Sequence, residues 1–190
     1  MPRVLVPLAE GFEELEAITI TDLLTRAKID VITAGLKPGP VTASRGTRVI
    51  PVTDLDEALH QSYDMIALPG GLPGADHLRD DPRIIALVKK MSEEGKFVAA
   101  ICAAPKALAA AGLLDEKHAT GFPGSIDAAR FPAIKIENSP VVRDGNIITS
   151  RGPGTAMDFA LDLIALLVGK DIRDQVENGL QRPTAHRAAK

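Results

Sequence analysis

Cys102 is the only cysteine in the chain. It ends the apolar part of the run Phe97-Val98-Ala99-Ala100-Ile101-Cys102-Ala103-Ala104-Pro105. Five residues of strand character lead into small residues and a proline of helix-start character. A side chain on such a turn is pushed out of the sheet and stands beside unpaired helix N–H groups, which favour an anion. A thiol held there is expected to ionise more readily than one in a core, and to act as a nucleophile. A lone cysteine is otherwise often a small buried apolar residue. The strand–turn–helix setting is what argues for chemistry.

Two further clusters follow strand-like segments. Glu13, Glu14 and Glu16 lie in the first turn of an amphipathic stretch. Acids there complement the helix dipole, but this turn also opens from the end of the first strand and can face Cys102. A carboxyl group in that place would hydrogen-bond the thiol or shuttle a proton, and beside a thiolate it would be held protonated, because two anions repel. Pro69-Gly70-Gly71 reads either as an ordinary glycine turn or as half of an oxyanion hole whose other half is the Ala103 N–H. Ser150 to Thr155 starts a helix, so Gly152 and Pro153 supply a pocket wall or only a cap. Arg26 and Arg45 are candidate anion-site residues, although an arginine so placed is more often a solvated surface charge.

Other chemistries find no support. None of His60, His77, His118 and His186 is spaced from another as metal ligands are, so neither metal nor cofactor is expected, and His77 reads as an exposed helix residue. No serine-hydrolase elbow, phosphate loop or dinucleotide fingerprint occurs.

These residues must be positioned by one domain spanning 1–190, with about 182–190 a frayed tail. The 190 residues carry no Trp, one Tyr and five Phe, so the core is aliphatic. Few aromatics and a formal charge of −3 argue against sequence-specific nucleic-acid binding. No leader pattern and no bilayer-length apolar run is read, and a soluble, cytoplasmic, membrane-free protein is expected. Strands are expected at 3–8, 29–33, 49–52, 64–68 and 97–101, with a hairpin over 141–149. Helices are expected at 13–26, 54–60, 82–94, 105–111, 153–167 and 171–178, while 117–140 shows no sustained period. The alternation implies an α/β, flavodoxin-like three-layer sandwich, a mostly parallel sheet with helices on both faces and the cysteine on a nucleophile elbow. Ligands in such sheets sit beyond the carboxyl ends of the strands, where the three loops at 9–16, 69–74 and 101–105 emerge.

Taken together, Ala9-Glu10-Gly11-Phe12-Glu13-Glu14-Leu15-Glu16-Ala17, Leu68-Pro69-Gly70-Gly71, Ala99 to Pro105 and Thr149 to Thr155 resemble the ThiJ/PfpI superfamily, in its DJ-one type. The resemblance covers nearly the whole chain in order. It implies that Cys102 is the elbow nucleophile and the oxidation-sensitive thiol, and that Glu16 is the protonated carboxyl bonded to it. It also implies that Gly71 and Ala103 amides, with Gly70 beside them, form the oxyanion site. A homodimer is implied, with Arg26, Arg45 and Pro153 near its interface. Ala103 stands where protease-like relatives carry histidine, which disfavours peptidase activity. No His-x-Glu pair of the amidotransferase kind is present. Phe122 stands where some relatives place another histidine, which leaves more of the proton transfer to Glu16.

The activity this implies is cofactor-independent conversion of a small α-oxoaldehyde, such as methylglyoxal, or of its early protein or nucleotide adducts, to a hydroxy acid. The alternative is a peroxide sensor or redox-regulated chaperone acting through oxidation of Cys102 without turnover.

Overall fold

The computed structural model describes residues 1–182; the expected tail lies almost wholly outside them. In chain order the strands are β1 (Arg3–Leu8), β2 (Asp30–Gly35), β3 (Val41–Thr42), β4 (Arg48–Val49), β5 (Thr53–Asp54), β6 (Met65–Leu68), β7 (Phe97–Ile101), β8 (His118–Ala119), β9 (Lys135–Ile136), β10 (Val141–Asp144) and β11 (Ile147–Ser150). The helices are α1 (Glu14–Arg26), α2 (Leu55–Ala58), α3 (Gly74–Asp80), α4 (Pro82–Glu93), α5 (Pro105–Ala110), α6 (Ala156–Val168) and α7 (Lys170–Gly179).

Seven strands form one sheet in the order β10-β11-β7-β6-β1-β2-β5, with every pairing parallel except the β10–β11 hairpin. Leaving aside the two edge strands β10 and β5, the order is second, first, third, fourth, fifth. That is the flavodoxin-like winding, whose chain reversal lies beside the first strand. Alternate residues of β1 explain the layers. Val4, Val6 and Leu8 face one apolar cluster with Ala17, Ile20 and Leu24 of α1 and Phe159, Leu163 and Ile164 of α6. Leu5 faces the other, with Leu78 of α3, Ile84 and Val88 of α4, and Leu108 of α5. Because the strands are covered on both faces, they read as nearly continuous apolar runs rather than alternating ones.

Helix starts follow local chemistry. Glu13, in an extended conformation, caps α1 by accepting the Glu16 N–H, and Asp54 and Asp81 do the same for α2 and α4. Among the described residues no helix is long and apolar enough to cross a membrane.

Four expectations need correction. The segment expected as one strand over 49–52 is divided: Arg48–Val49 pairs antiparallel with Val41–Thr42 outside the main sheet, and Thr53–Asp54 supplies the sheet edge. Pro51 between them has no N–H to give a ladder, and Ile50 and Val52 are left exposed. Residues 74–80 form a helix whose bounds the Pro-Gly cluster before them obscured. Short parallel strands β8 and β9 pair within the segment that shows no period. The expected helix from residue 153 begins with a tighter 3-10 turn, Pro153–Thr155, before α6.

Phe159, fully buried at the α1–α6 contact, tests this packing. Phe159→Ala is expected to lower stability by about 3–5 kcal/mol, read as an earlier midpoint in chemical denaturation.

Candidate active site

The three loops expected to meet do meet, at the carboxyl ends of β1, β6 and β7. Cys102 follows β7 directly and has a left-handed backbone, φ 62°. A non-glycine residue in that region is strained by about 1–3 kcal/mol and persists only when its surroundings hold it. Here three hydrogen bonds hold it. Its N–H donates to the Ser150 carbonyl at 2.9 Å, and its own carbonyl accepts from the Phe122 N–H at 2.7 Å. The Ser125 hydroxyl donates to the same carbonyl at 3.2 Å. The result is an elbow that turns the side chain out of the sheet, leaving Cys102 7% exposed.

Glu16 reaches this thiol from the first turn of α1, fully buried. Its Oε2 accepts the Gly70 N–H at 2.8 Å. Its Oε1 is buried without a hydrogen-bond partner, and the carboxyl as a whole interacts with the Cys102 side chain. The approach depends on Gly70: a Cβ there would lie 2.6 Å from Cys102 Cβ and 2.8 Å from Glu16 Oε2. Gly71, at φ 90°, is needed for a second reason, since a Cβ would lie 2.4 Å from the Glu13 nitrogen. The N–H groups of Gly71 and Ala103 both act on the Cys102 sulfur.

Burial pushes the Glu16 carboxyl up to about 7, and the charge on Glu13 adds to this. The interactions with Cys102 and the Gly70 N–H oppose it. Burial, with the charge and hydrogen bond of Glu16, likewise pushes the Cys102 thiol up, to about 12, against the Gly71 and Ala103 N–H groups. The expectation of a thiol that ionises readily by virtue of its turn alone is therefore corrected: burial and the acidic neighbour outweigh the two amides while Glu16 is ionised. A proton on Glu16 removes the repulsion, and its O–H then joins the amides in favouring the thiolate. The pair therefore holds two protons below about pH 7 and one above it, up to about 12.

The three acids of the first turn separate by role. Glu13 is the helix cap, and Glu14 accepts from Ser44 Oγ and the Arg45 and Thr47 N–H groups, tying the β3–β4 connection to α1. Only Glu16 acts on the thiol. Arg26 ion-pairs with Asp22 at 2.9 Å in the last turn of α1, away from Glu16 in the first. Arg45 is exposed and bound through its backbone. Gly152 lies beside Phe122, a Cβ at 152 falling 3.5 Å from that ring, and Pro153 opens the 3-10 turn; neither supplies a group to the sulfur. Phe122 is half-exposed and contributes its backbone N–H, while His77 lies exposed on α3 as expected and His186 falls outside the described residues.

Two participants escaped the sequence reading. Ser150 was visible only as part of a helix-start motif, although its carbonyl fixes the elbow and its hydroxyl contacts Thr155 Oγ1 at 2.7 Å. Ser125 lies in the segment without a period, where nothing marked it.

A cysteine elbow, a buried carboxyl against it and two amides on a flavodoxin-like sheet define an α/β protein built around one buried thiol. The model of the DJ-1/PfpI family matches residues 2–166, and the chain belongs to that family. Protein dj-1beta of Drosophila melanogaster is 40% identical over 177 residues, covering 93% of this chain and 95% of its own. A crystal structure of Drosophila melanogaster DJ-1beta superposes with a TM-score of 0.90 at 38% identity, covering 96% and 98% of the two chains. Protein DJ-1 homolog B of Arabidopsis thaliana is 42% identical over 182 residues, 95% of this chain, which spans only 40% of that longer protein. Glutathione-independent glyoxalase DJR-1.2 of Caenorhabditis elegans is 34% identical over 168 residues, covering 88% and 89%.

A raised carboxyl pKa makes stability depend on pH in a definite sense. Glu16 goes from 4.5 to about 7 on folding, so its contribution is fully present below pH 4.5 and is lost as pH rises through 7. Glu16→Gln is expected to remove that decline, roughly 3 kcal/mol for a shift of this size, when denaturation midpoints are compared between pH 4.5 and 8.

Proposed function

We propose that the protein is a cofactor-independent glyoxalase acting on small α-oxoaldehydes, with Cys102 as nucleophile and Glu16 as acid and base. The observation that carries this reading is the packing of the buried Glu16 carboxyl and the Cys102 side chain against the one space that Gly70 leaves free, with the Gly71 and Ala103 N–H groups acting on the same sulfur. The Caenorhabditis elegans relative, described as a glutathione-independent glyoxalase, supports the reaction type.

The steps balance with water as the only co-reactant. The Cys102 thiolate adds to the aldehyde carbon of methylglyoxal, forming a C–S bond, and the new oxyanion lies toward the Gly71 and Ala103 amides. The Glu16 carboxyl gives that oxygen its proton, which completes a hemithioacetal and leaves a carboxylate. That carboxylate removes the hydrogen from the former aldehyde carbon. The electron pair moves into an enediol, and Glu16 returns the proton to the adjacent carbon. A proton passes from one enediol oxygen to the other, giving a lactoyl thioester. Water then adds to the thioester carbonyl, the C–S bond breaks to release the thiolate and lactic acid, and the remaining proton of the water passes to the Glu16 carboxylate, which restores the starting pair. The net change is addition of one water to methylglyoxal, with internal oxidation of one carbon and reduction of its neighbour. The same sequence applied to an early aldehyde adduct of a protein or nucleotide would release the amine or thiol that carries it.

Glu16 holds the proton the first step needs because burial keeps its carboxyl neutral up to about pH 7. The same carboxyl can serve as base afterwards because its second oxygen stays on the Gly70 N–H.

Lactate formation from methylglyoxal without added thiol or metal tests the proposal. The parent is expected to form lactate, Cys102→Ser to fall to background, and Glu16→Gln to lose at least about 100-fold in kcat. No lactate from the parent would reject the reading and turn attention to the other chemistry the pair suits. That is peroxide oxidation of Cys102 to a sulfinate receiving a hydrogen bond from Glu16, read as a stable gain of two oxygens in intact mass.

A further inference from the structure

The loops of the site are closed by a cycle of three hydrogen bonds. The Glu13 N–H donates to the Gly70 carbonyl at 2.9 Å. The Gly70 N–H donates to Glu16 Oε2 at 2.8 Å. The Glu16 N–H donates to Glu13 Oε2 at 2.9 Å, which completes the ring. Each residue gives one N–H and receives one. Two links use groups that no substitution can remove without also changing Gly70 or Glu16. The third is the Glu13 carboxylate.

We infer that Glu13 is a positioning residue for the Glu16–Cys102 pair, fixing where the Glu16 carboxyl stands against the thiol. The geometric part follows from the ring. Glu16 is placed by its backbone at the first turn of α1 and by its side chain on Gly70, and Glu13 is bound to both of those anchors. A shift of Glu13 moves the first turn and the Gly70–Gly71 turn relative to each other. That changes the carboxyl-to-sulfur approach and, at the same time, the aim of the Gly71 N–H. The tolerance is small, since the same crowding forbids a Cβ at either glycine. The electrostatic part has the right sign: a fixed negative charge three residues before Glu16 raises the cost of a second one. Glu14 is one residue further on, but its oxygens are turned to the 44–47 backbone and take no part in the ring.

The inference concerns the state of the Glu16–Cys102 pair, not the identity of the substrate. Its test therefore reads Cys102 directly and survives failure of the glyoxalase proposal. The measurement is the rate of Cys102 alkylation by iodoacetamide across pH 4.5 to 9.5, with intact mass as the readout. Glu13→Gln keeps a side-chain acceptor for the Glu16 N–H and removes the charge. Its reactivity profile is expected to shift acidward by about half a pH unit, with an unchanged plateau. Glu13→Ala removes both functions, so the same shift should come with a plateau lowered about tenfold. Glu13→Asp keeps charge and acceptor and should restore the parent profile. Asp54→Ala, which removes the cap of α2 far along the chain, should cost stability without moving the profile. The inference is overturned if Glu13→Gln and Glu13→Ala keep the parent profile and lose only melting temperature. It is equally overturned if Asp54→Ala shifts the profile as they do. Should Glu13→Ala fail to fold, the Gln and Asp variants still decide the matter.

Discussion

The arrangement around the thiol rests on a close approach that two residue types make possible together. Gly70 lets the Glu16 carboxyl and the Cys102 side chain come into contact, because the space a Cβ would take is already filled by both. Cys102 contributes a left-handed backbone, which turns its sulfur toward that space instead of into the sheet. The strain of that conformation is met by hydrogen bonds from two separate places: β11, and the Phe122–Ser125 turn after β8. The elbow is therefore a product of the sheet order. Only a parallel β7–β11 pair delivers the Ser150 carbonyl to the Cys102 N–H at the strand's carboxyl end.

Electrostatics then decides what the contact does. Burial disfavours charge on both groups, and the two cannot both be ionised at 7% exposure or less without strong repulsion. One negative charge is what the site supports. Four donors are available to it: the Gly70 N–H on the carboxyl side, the Gly71 and Ala103 N–H groups on the sulfur, and the carboxyl O–H between them. The proton's position selects whether the site presents a nucleophile or a base. A pair of this kind changes role during a reaction without any movement of the backbone. The proposed turnover and its alternative, oxidation of the thiol, would call on the same atoms.

Much of this was legible before any coordinates. The apolar run Phe97–Ile101 followed by Cys102-Ala103-Ala104-Pro105 announces an elbow, because strand and helix periods meet there with small residues between. Arg3 to Leu8 and Asp64 to Leu68 read as buried strands because their apolar runs hardly alternate. The divided strand at 48–54 was not legible, since Val49, Ile50 and Val52 have strand propensity whether or not a neighbour is there to pair with. A helix at His77 was expected, but its bounds at 74–80 were not legible: Pro73 and Gly74 read as turn, and seven residues are too few for a helical period to show.

The sequence by itself determined the alternation of strands and helices, the identity of the one thiol, and the three loops that carry groups able to act on it, because hydrophobic period and helix-start chemistry are local properties. The family resemblance had already singled out Glu16, but only the tertiary structure gives the physical reason why it, and not a neighbouring glutamate, lies against the thiol. On one helical turn, Glu13, Glu14 and Glu16 are the same residue with the same local preference. Their partners, the Glu16 N–H, the 44–47 backbone and the Cys102 side chain, come from within the turn, from a loop some 30 positions away and from a strand end 86 positions away. Only the tertiary structure, too, decided the ionisation of the pair, because burial is a property of the packed sheet and not of the turn on which the cysteine sits.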